Sequence, residues 1–204
     1  MSISPKQFEL TLVDVQKELC EHWSEAFKDF QTVNVYHGKF QEITSFDCLV
    51  SPANSFGLMD GGVDLGIRNY FGMNIQYNVQ KVVQKEFYGE QPVGTSVIVH
   101  TENDDYPFLA HTPTMRVPMD ISKTDNVYNA MFAMLRAVAN HNKQKKVLRI
   151  NKVLCPGLGT ATGRVPVKEA ARQMAVAYRH FMNPTSNMNW SNLQKRNEII
   201  LGIN

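Results

Sequence analysis

Short strand-like runs alternate with segments of helical period from residue 8 to residue 181. That alternation confines the chain to the α/β class, with a mixed, largely parallel sheet covered by helices on both faces. "FELTLV" (8–13), "TVNVY" (32–36), "DCLVSP" (47–52), "TSVIVH" (95–100), "PFLAHT" (107–112) and "INKVLCP" (150–156) read as strands. Pro52 is expected to end the third of them. Val15, Leu19, Trp23, Phe27 and Phe30 recur at helical spacing, which predicts a helix over 15–30 with Asp14 as its N-cap. Further helices are expected from Gly62 to Phe71, over 74–87, from near Asp125 through Val138, and after Pro166. The acidic "ENDDY" between the fourth and fifth strands implies a hairpin or a short crossover. From residue 183 the chain turns polar and Asn-rich, so 183–204 reads as a tail on the surface and 1–182 as the domain.

Composition excludes several classes. The chain has 204 residues, 43% of them hydrophobic and 20% charged, with a net charge of +2. A net charge so small does not mark a nucleic-acid-binding protein, which carries a clustered basic face. No apolar run approaches the roughly 20 residues of a membrane span, and the first residues lack a signal-peptide pattern. Cys20, Cys48 and Cys155 form neither a disulfide framework nor a zinc pattern, which points to a reducing, cytoplasmic compartment. His22, His37, His100, His111, His141 and His180 have no ligand spacing, so neither a metal nor a cofactor is expected.

Two loops carry more glycine and polar character than a connection needs. "SPANSFGLMDGGVDLGI" (51–67) leaves a strand and enters a helix near Gly62–Val63. "CPGLGTATGRVP" (155–166) does the same, with Gly157, Gly159 and Gly163. Glycine permits positive φ and close approach of a ligand, and free N–H groups at a helix start attract anions. Neither loop ends in the Lys-Ser/Thr of a P-loop. Both lie at carboxyl ends of strands, where open α/β sheets bind ligands.

The segment "DCLVSPANSFGLMDGGVDLGI" resembles the signature of macrodomains, the ADP-ribose-binding modules. Asp47 opens the strand, Ala53–Asn54 ends it, Gly61–Gly62 stand for the glycine run, and Val63–Asp64 follow. The ten-residue spacing from Asn54 to Asp64 is similar to that of the family's hydrolytic members. The 155–166 loop resembles the family's phosphate-clasping loop, and "FLAHTP" resembles its His-containing strand. The likeness runs from about residue 32 to 182 and implies a three-layer α/β/α fold with a mixed central sheet, preceded here by an extra strand and helix. Departures are specific. Where many members have Gly-Asp, whose carboxylate accepts from the adenine amino group, this chain has Gly38–Lys39, and a lysine accepts nothing. Stacking on Phe40, or a carboxylate such as Asp14 or Glu42, is the alternative. Asp60 stands where glycine is usual, and Ser51 and Pro52 at the turn, with "PTMRVP" (113–118), mark a divergent subgroup.

The resemblance implies roles. The diphosphate is expected between the N–H groups of Gly61, Gly62 and Val63 and those of Leu158 to Gly163, that is Leu158, Gly159, Thr160, Ala161, Thr162 and Gly163, with Gly157 and Ala53 beside them. Asn54 would donate to and accept from the distal ribose, and Asp64 would orient a water or a hydroxyl. His111, on an apolar strand, reads as a core histidine. The first functional reading is binding of ADP-ribose, or of an ADP-ribosylated protein, with hydrolysis of an ester, an O-acetyl ester or a 1″-phosphate. The second is a non-catalytic reader, and the third a structural or assembly protein with a degenerate nucleotide site.

Overall fold

The computed structural model describes residues 8–203. Six strands form one sheet: β1 (Glu9–Asp14), β2 (Val33–His37), β3 (Cys48–Asn54), β4 (Val97–His100), β5 (Phe108–Met115) and β6 (Lys152–Pro156). Their spatial order is β2-β1-β6-β3-β5-β4. Only β4 runs against its neighbour, so the acidic connection to β5 makes a hairpin and every other pairing is parallel.

Alternation along the strands assigns the two faces. Cys48, Val50, Phe108, Ala110, Val153 and Cys155 pack beneath α1 (Lys17–Ala26), α4 (Asn126–His141) and α5 (Val167–Met182). Leu49, Leu109 and Leu154 point the other way, beneath α2 (Gly62–Phe71) and α3 (Asn74–Phe87). A sheet covered on both sides needs apolar residues at consecutive positions, which is why "CLV" and "VLC" are unbroken runs. The neighbours β6 and β3 therefore send their helices, α5 and α2, to opposite faces. Their loops diverge and leave a crevice at the strands' carboxyl ends.

Several boundaries differ from expectation. The strand β3 runs through Pro52 to Asn54. Beyond Leu49 it pairs only with β5, so one side is unpaired and the missing N–H of Pro52 breaks no ladder. The same parting of β3 from β6 opens the crevice. The first helix starts at Lys17, with Gln16 and not Asp14 at its cap. Asp14 instead accepts from the Gln16 N–H at 2.9 Å, and this local turn delays the helix. Val15, expected on the helix's apolar face, is left 62% exposed. At the other end a turn at Phe27 and Phe30 stops the helix at Ala26.

The 183–204 segment, which shows no helical period until its last residues, contains a helix, α6 (Trp190–Leu201), with no buried residue. It is capped by Asn189, whose side chain accepts from the Asn192 N–H at 3.0 Å. Arg172 of α5 donates to the carbonyls of Ile199 and Ile200, both at 2.8 Å. Ile200 also packs against the core, and the rest of the tether is polar, so hydrophobic periodicity gave little sign of it. No helix among the described residues is long and apolar enough to cross a membrane.

Candidate functional site

The crevice is walled by the loops that leave β3 and β6. After β3, Asn54 organises the turn. Its Oδ1 accepts from the N–H groups of Phe56 at 3.0 Å and Leu58 at 3.3 Å, and its Nδ2 donates to the Leu58 carbonyl at 2.7 Å. Met59 N–H then donates to Gln76 of α3 at 2.9 Å. The chain emerges at Asp60, Gly61 and Gly62, all exposed, and enters α2. With both lone pairs of its oxygen engaged, Asn54 has one free N–H to offer a ligand. The expectation that it both donates to and accepts from a ribose is corrected to donation alone.

After β6, packing forces the conformation. Gly157 N–H donates to Asp14 Oδ2 at 3.3 Å. Leu158 is fully buried in the core and can offer a ligand only its backbone. Gly159 has φ +73°, and a Cβ there would lie 2.9 Å from Val127 and 3.1 Å from Ile121. A Cβ on Gly163 would meet the Gly159 carbonyl oxygen at 2.5 Å, so the loop closes on itself only with glycine at 163. Val165 N–H and Ile121 N–H bond to the Gly159 and Gly163 carbonyls and pin the loop from both sides.

The consequence is two facing rows of donors. Among the described residues, the N–H groups of Gly61, Gly62, Val63 and Asp64 have no protein acceptor, and neither do those from Leu158 through Gly163. One row opens α2, so the helix dipole adds to it. Ala53, Asn54, Gly61, Gly62, Val63 and Asp64 line one side of the crevice. Gly157, Gly159, Ala161, Thr162 and Gly163 line the other, with Thr114 at one end. Thr160 faces the adjoining slot, described below, together with Phe40.

Asp64 lies in the first turn of α2, 7% exposed. Ser51 Oγ donates to its Oδ1 at 2.5 Å, while Oδ2 has no partner among the described residues. Burial, with a smaller contribution from nearby Asp60, pushes its pKa up to about 7 against the Ser51 hydrogen bond, which lowers it. In the sequence Ser51 stood out only as a departure at the turn, and its role beside Asp64 was missed. It is a hydroxyl at an inward position of an apolar strand, and such a group needs a polar partner.

Past Gly62 and Val63 the crevice continues into a slot of about 370 Å³ between β1, the turn after β2 and α2. Phe40 lines it, yet it is only 8% exposed, packs edge-on to Tyr70 at 5.7 Å and belongs to the core. Asp14, Val15 and Lys39 also line the slot. Glu42 does not; it accepts from Tyr36 OH at 3.1 Å and Lys39 N–H at 3.2 Å. His111 lies away from the crevice, fully buried, with Nδ1 bonded to Gln91 Oε1 at 2.7 Å. Burial pushes its pKa down to about 3, so it stays neutral.

Comparison with known proteins places this geometry. The family model described as "Macro domain" matches residues 50–174. An uncharacterized protein of Aquifex aeolicus is 34% identical over 149 residues, covering 73% of this chain and 82% of that protein. Among solved structures, the Oceanobacillus iheyensis macrodomain with ADP is similar in fold, with TM-score 0.59 and 20% identity over 81% of this chain and 89% of that one. A variant of the same macrodomain with ADPR gives TM-score 0.58 and 21% identity over 81% and 91%.

Proposed function

Because the chain belongs to the macrodomain family, whose members bind ADP-ribose, we propose that it binds ADP-ribose along this crevice and hydrolyses an ADP-ribosyl derivative at its Asp64 end. The observation that carries the binding is the pair of unpartnered N–H rows, spaced across one crevice at the carboxyl ends of β3 and β6. A diphosphate supplies acceptors to both rows at once. The adenosine then lies in the slot, and the distal ribose lies against Asn54 and Asp64. That macrodomain structures from O. iheyensis hold ADP and ADPR supports a ligand of this class.

Asp64 supports the hydrolytic half. A carboxylate titrating near 7 is a competent base at neutral pH, because the correct protonation state and the drive for proton transfer coincide there. In ester hydrolysis Asp64 Oδ2 takes a proton from water as the water oxygen bonds to the acyl carbon. The bond from that carbon to the ribose oxygen breaks, and the proton returns to the ribose oxygen. Ser51 holds Oδ1 and so fixes the orientation of Oδ2. Substrates of this class are a protein-linked acidic-residue ester or O-acetyl-ADP-ribose; with the 1″-phosphate the attack is at phosphorus. A cytoplasmic ADP-ribosylated protein is the partner this reading implies.

A second reading, a non-catalytic reader, draws on the commitment of Asn54 to its own turn and of Asp64 to Ser51. The deciding experiment measures release of ADP-ribose from a mono-ADP-ribosylated protein and of acetate from O-acetyl-ADP-ribose. We expect Asp64→Ala to slow turnover by roughly 10²-fold or more while affinity for ADP-ribose stays within several-fold. Wild-type protein no faster than Asp64→Ala on either substrate leaves the reader.

A further inference from the structure

We infer that Asp14, at the end of β1, selects the base of the bound nucleotide by accepting from an exocyclic amino group, so that a 6-aminopurine is taken and a 6-oxopurine refused. This rests on the ADP-ribose reading and extends it to a residue outside the 50–174 family match.

The slot adjoins the diphosphate crevice through Gly62, Val63, Gly157 and Ala161, which line both, so a nucleoside attached to that diphosphate enters it. Its walls suit a planar base. Val15 is 62% exposed beside Val63 and Pro156, an apolar surface that a ring face would cover. Among the described residues lining the slot, Asp14 is the sole carboxylate and Lys39 the sole cation.

Asp14 is held in place from three directions. Gln16 N–H donates to Oδ1 at 2.9 Å, Gly157 N–H donates to Oδ2 at 3.3 Å, and Gly38 N–H donates to its backbone carbonyl at 3.0 Å. Each carboxylate oxygen accepts two hydrogen bonds, so two acceptor sites remain. An amino group satisfies one of them, whereas a ring carbonyl in its place sets two oxygens against each other. Glu42 is excluded because its carboxylate is turned to Tyr36 and the Lys39 N–H, away from the slot. Lys39 favours the opposite base, since an ammonium donates to a carbonyl. Its side chain is exposed and forms no ion pair among the described residues, while Asp14 is fixed by backbone donors, and the fixed group sets the preference.

The test compares ADP-ribose with inosine diphosphate ribose by calorimetric titration of the wild-type protein, Asp14→Asn and Glu42→Gln. A hydrogen bond to a charged group predicts a wild-type preference for ADP-ribose of about 10- to 100-fold. Asp14→Asn is expected to bring the ratio within about threefold, and Glu42→Gln to leave it unchanged. The ratio cancels any general loosening of the loop, which weakens both ligands alike. ADP-ribose binding with equal affinity for the inosine analogue, or an undiminished ratio in Asp14→Asn, overturns the assignment alone. Preference for the inosine analogue transfers selection to Lys39 and overturns it as well. Absence of wild-type binding to either ligand overturns the ADP-ribose reading and this inference with it.

Discussion

Asp64→Asn should make the protein more stable, and the gain should depend on pH in one direction. The wild-type carboxyl has its pKa pushed up to about 7 in the folded protein from an ordinary value of 3.8. Below pH 4 it is protonated in both the folded and the unfolded chain, and its burial carries no ionisation penalty. Between pH 4 and 7 the unfolded chain releases the proton and the folded one retains it, so stability falls as pH rises. A tenfold change in proton affinity corresponds to about 1.4 kcal/mol, so a carboxyl raised this far approaches a penalty of ~4 kcal/mol above pH 7 as an upper bound. Asparagine has the same shape, accepts the Ser51 hydrogen bond through Oδ1 and does not titrate. The variant should therefore match wild type near pH 4 and exceed it by up to ~4 kcal/mol at pH 8. Urea unfolding at pH 4.5, 6, 7 and 8 measures this, because other titrating groups cancel in the difference. A difference constant with pH, or an Asn variant less stable at pH 8, refutes the claim that burial dominates the Asp64 environment.

Two other perturbations probe the loop and the tail. Gly163→Ala places a Cβ 2.5 Å from the Gly159 carbonyl oxygen, so we expect at least a 10-fold loss of ADP-ribose affinity by titration, with about 1–3 kcal/mol of destabilisation by urea unfolding. Unchanged affinity contradicts the role given to this loop. Arg172→Ala removes the donors to the Ile199 and Ile200 carbonyls and should speed hydrogen exchange and proteolysis across 183–203 without altering ADP-ribose affinity. Exchange rates equal to wild type rule out that tether.

How much of this was legible in the sequence differs from element to element. Strands buried on both faces announce themselves as unbroken apolar runs, and α2 and α3 begin and end where the glycines and periodicity place them. The two glycine loops were legible because close backbone approach needs residues without a Cβ, as at Gly163. What the pattern could not supply is the partner of each polar group. The commitment of Asn54 to its own turn, the clamp of Ser51 on Asp64, and the turn that ends at Asp14 and exposes Val15 are set by distances within a few residues or across the sheet. Pro52 shows the same limit. The rule that proline ends a strand holds only where the strand is paired on the side that lacks the N–H, and that depends on where β6 stops.

The central claim is that the facing N–H rows hold a diphosphate with a sugar on each side, and titration of the wild-type protein with ADP-ribose and with AMP tests it most directly. Engagement of both rows predicts micromolar binding of ADP-ribose, on the order of −7 to −9 kcal/mol. AMP, with one phosphate and no distal ribose, should bind at least roughly 10-fold more weakly, since it leaves part of both rows without an acceptor. Folded protein that shows no heat of binding at millimolar ADP-ribose, or that binds AMP equally well, contradicts the account.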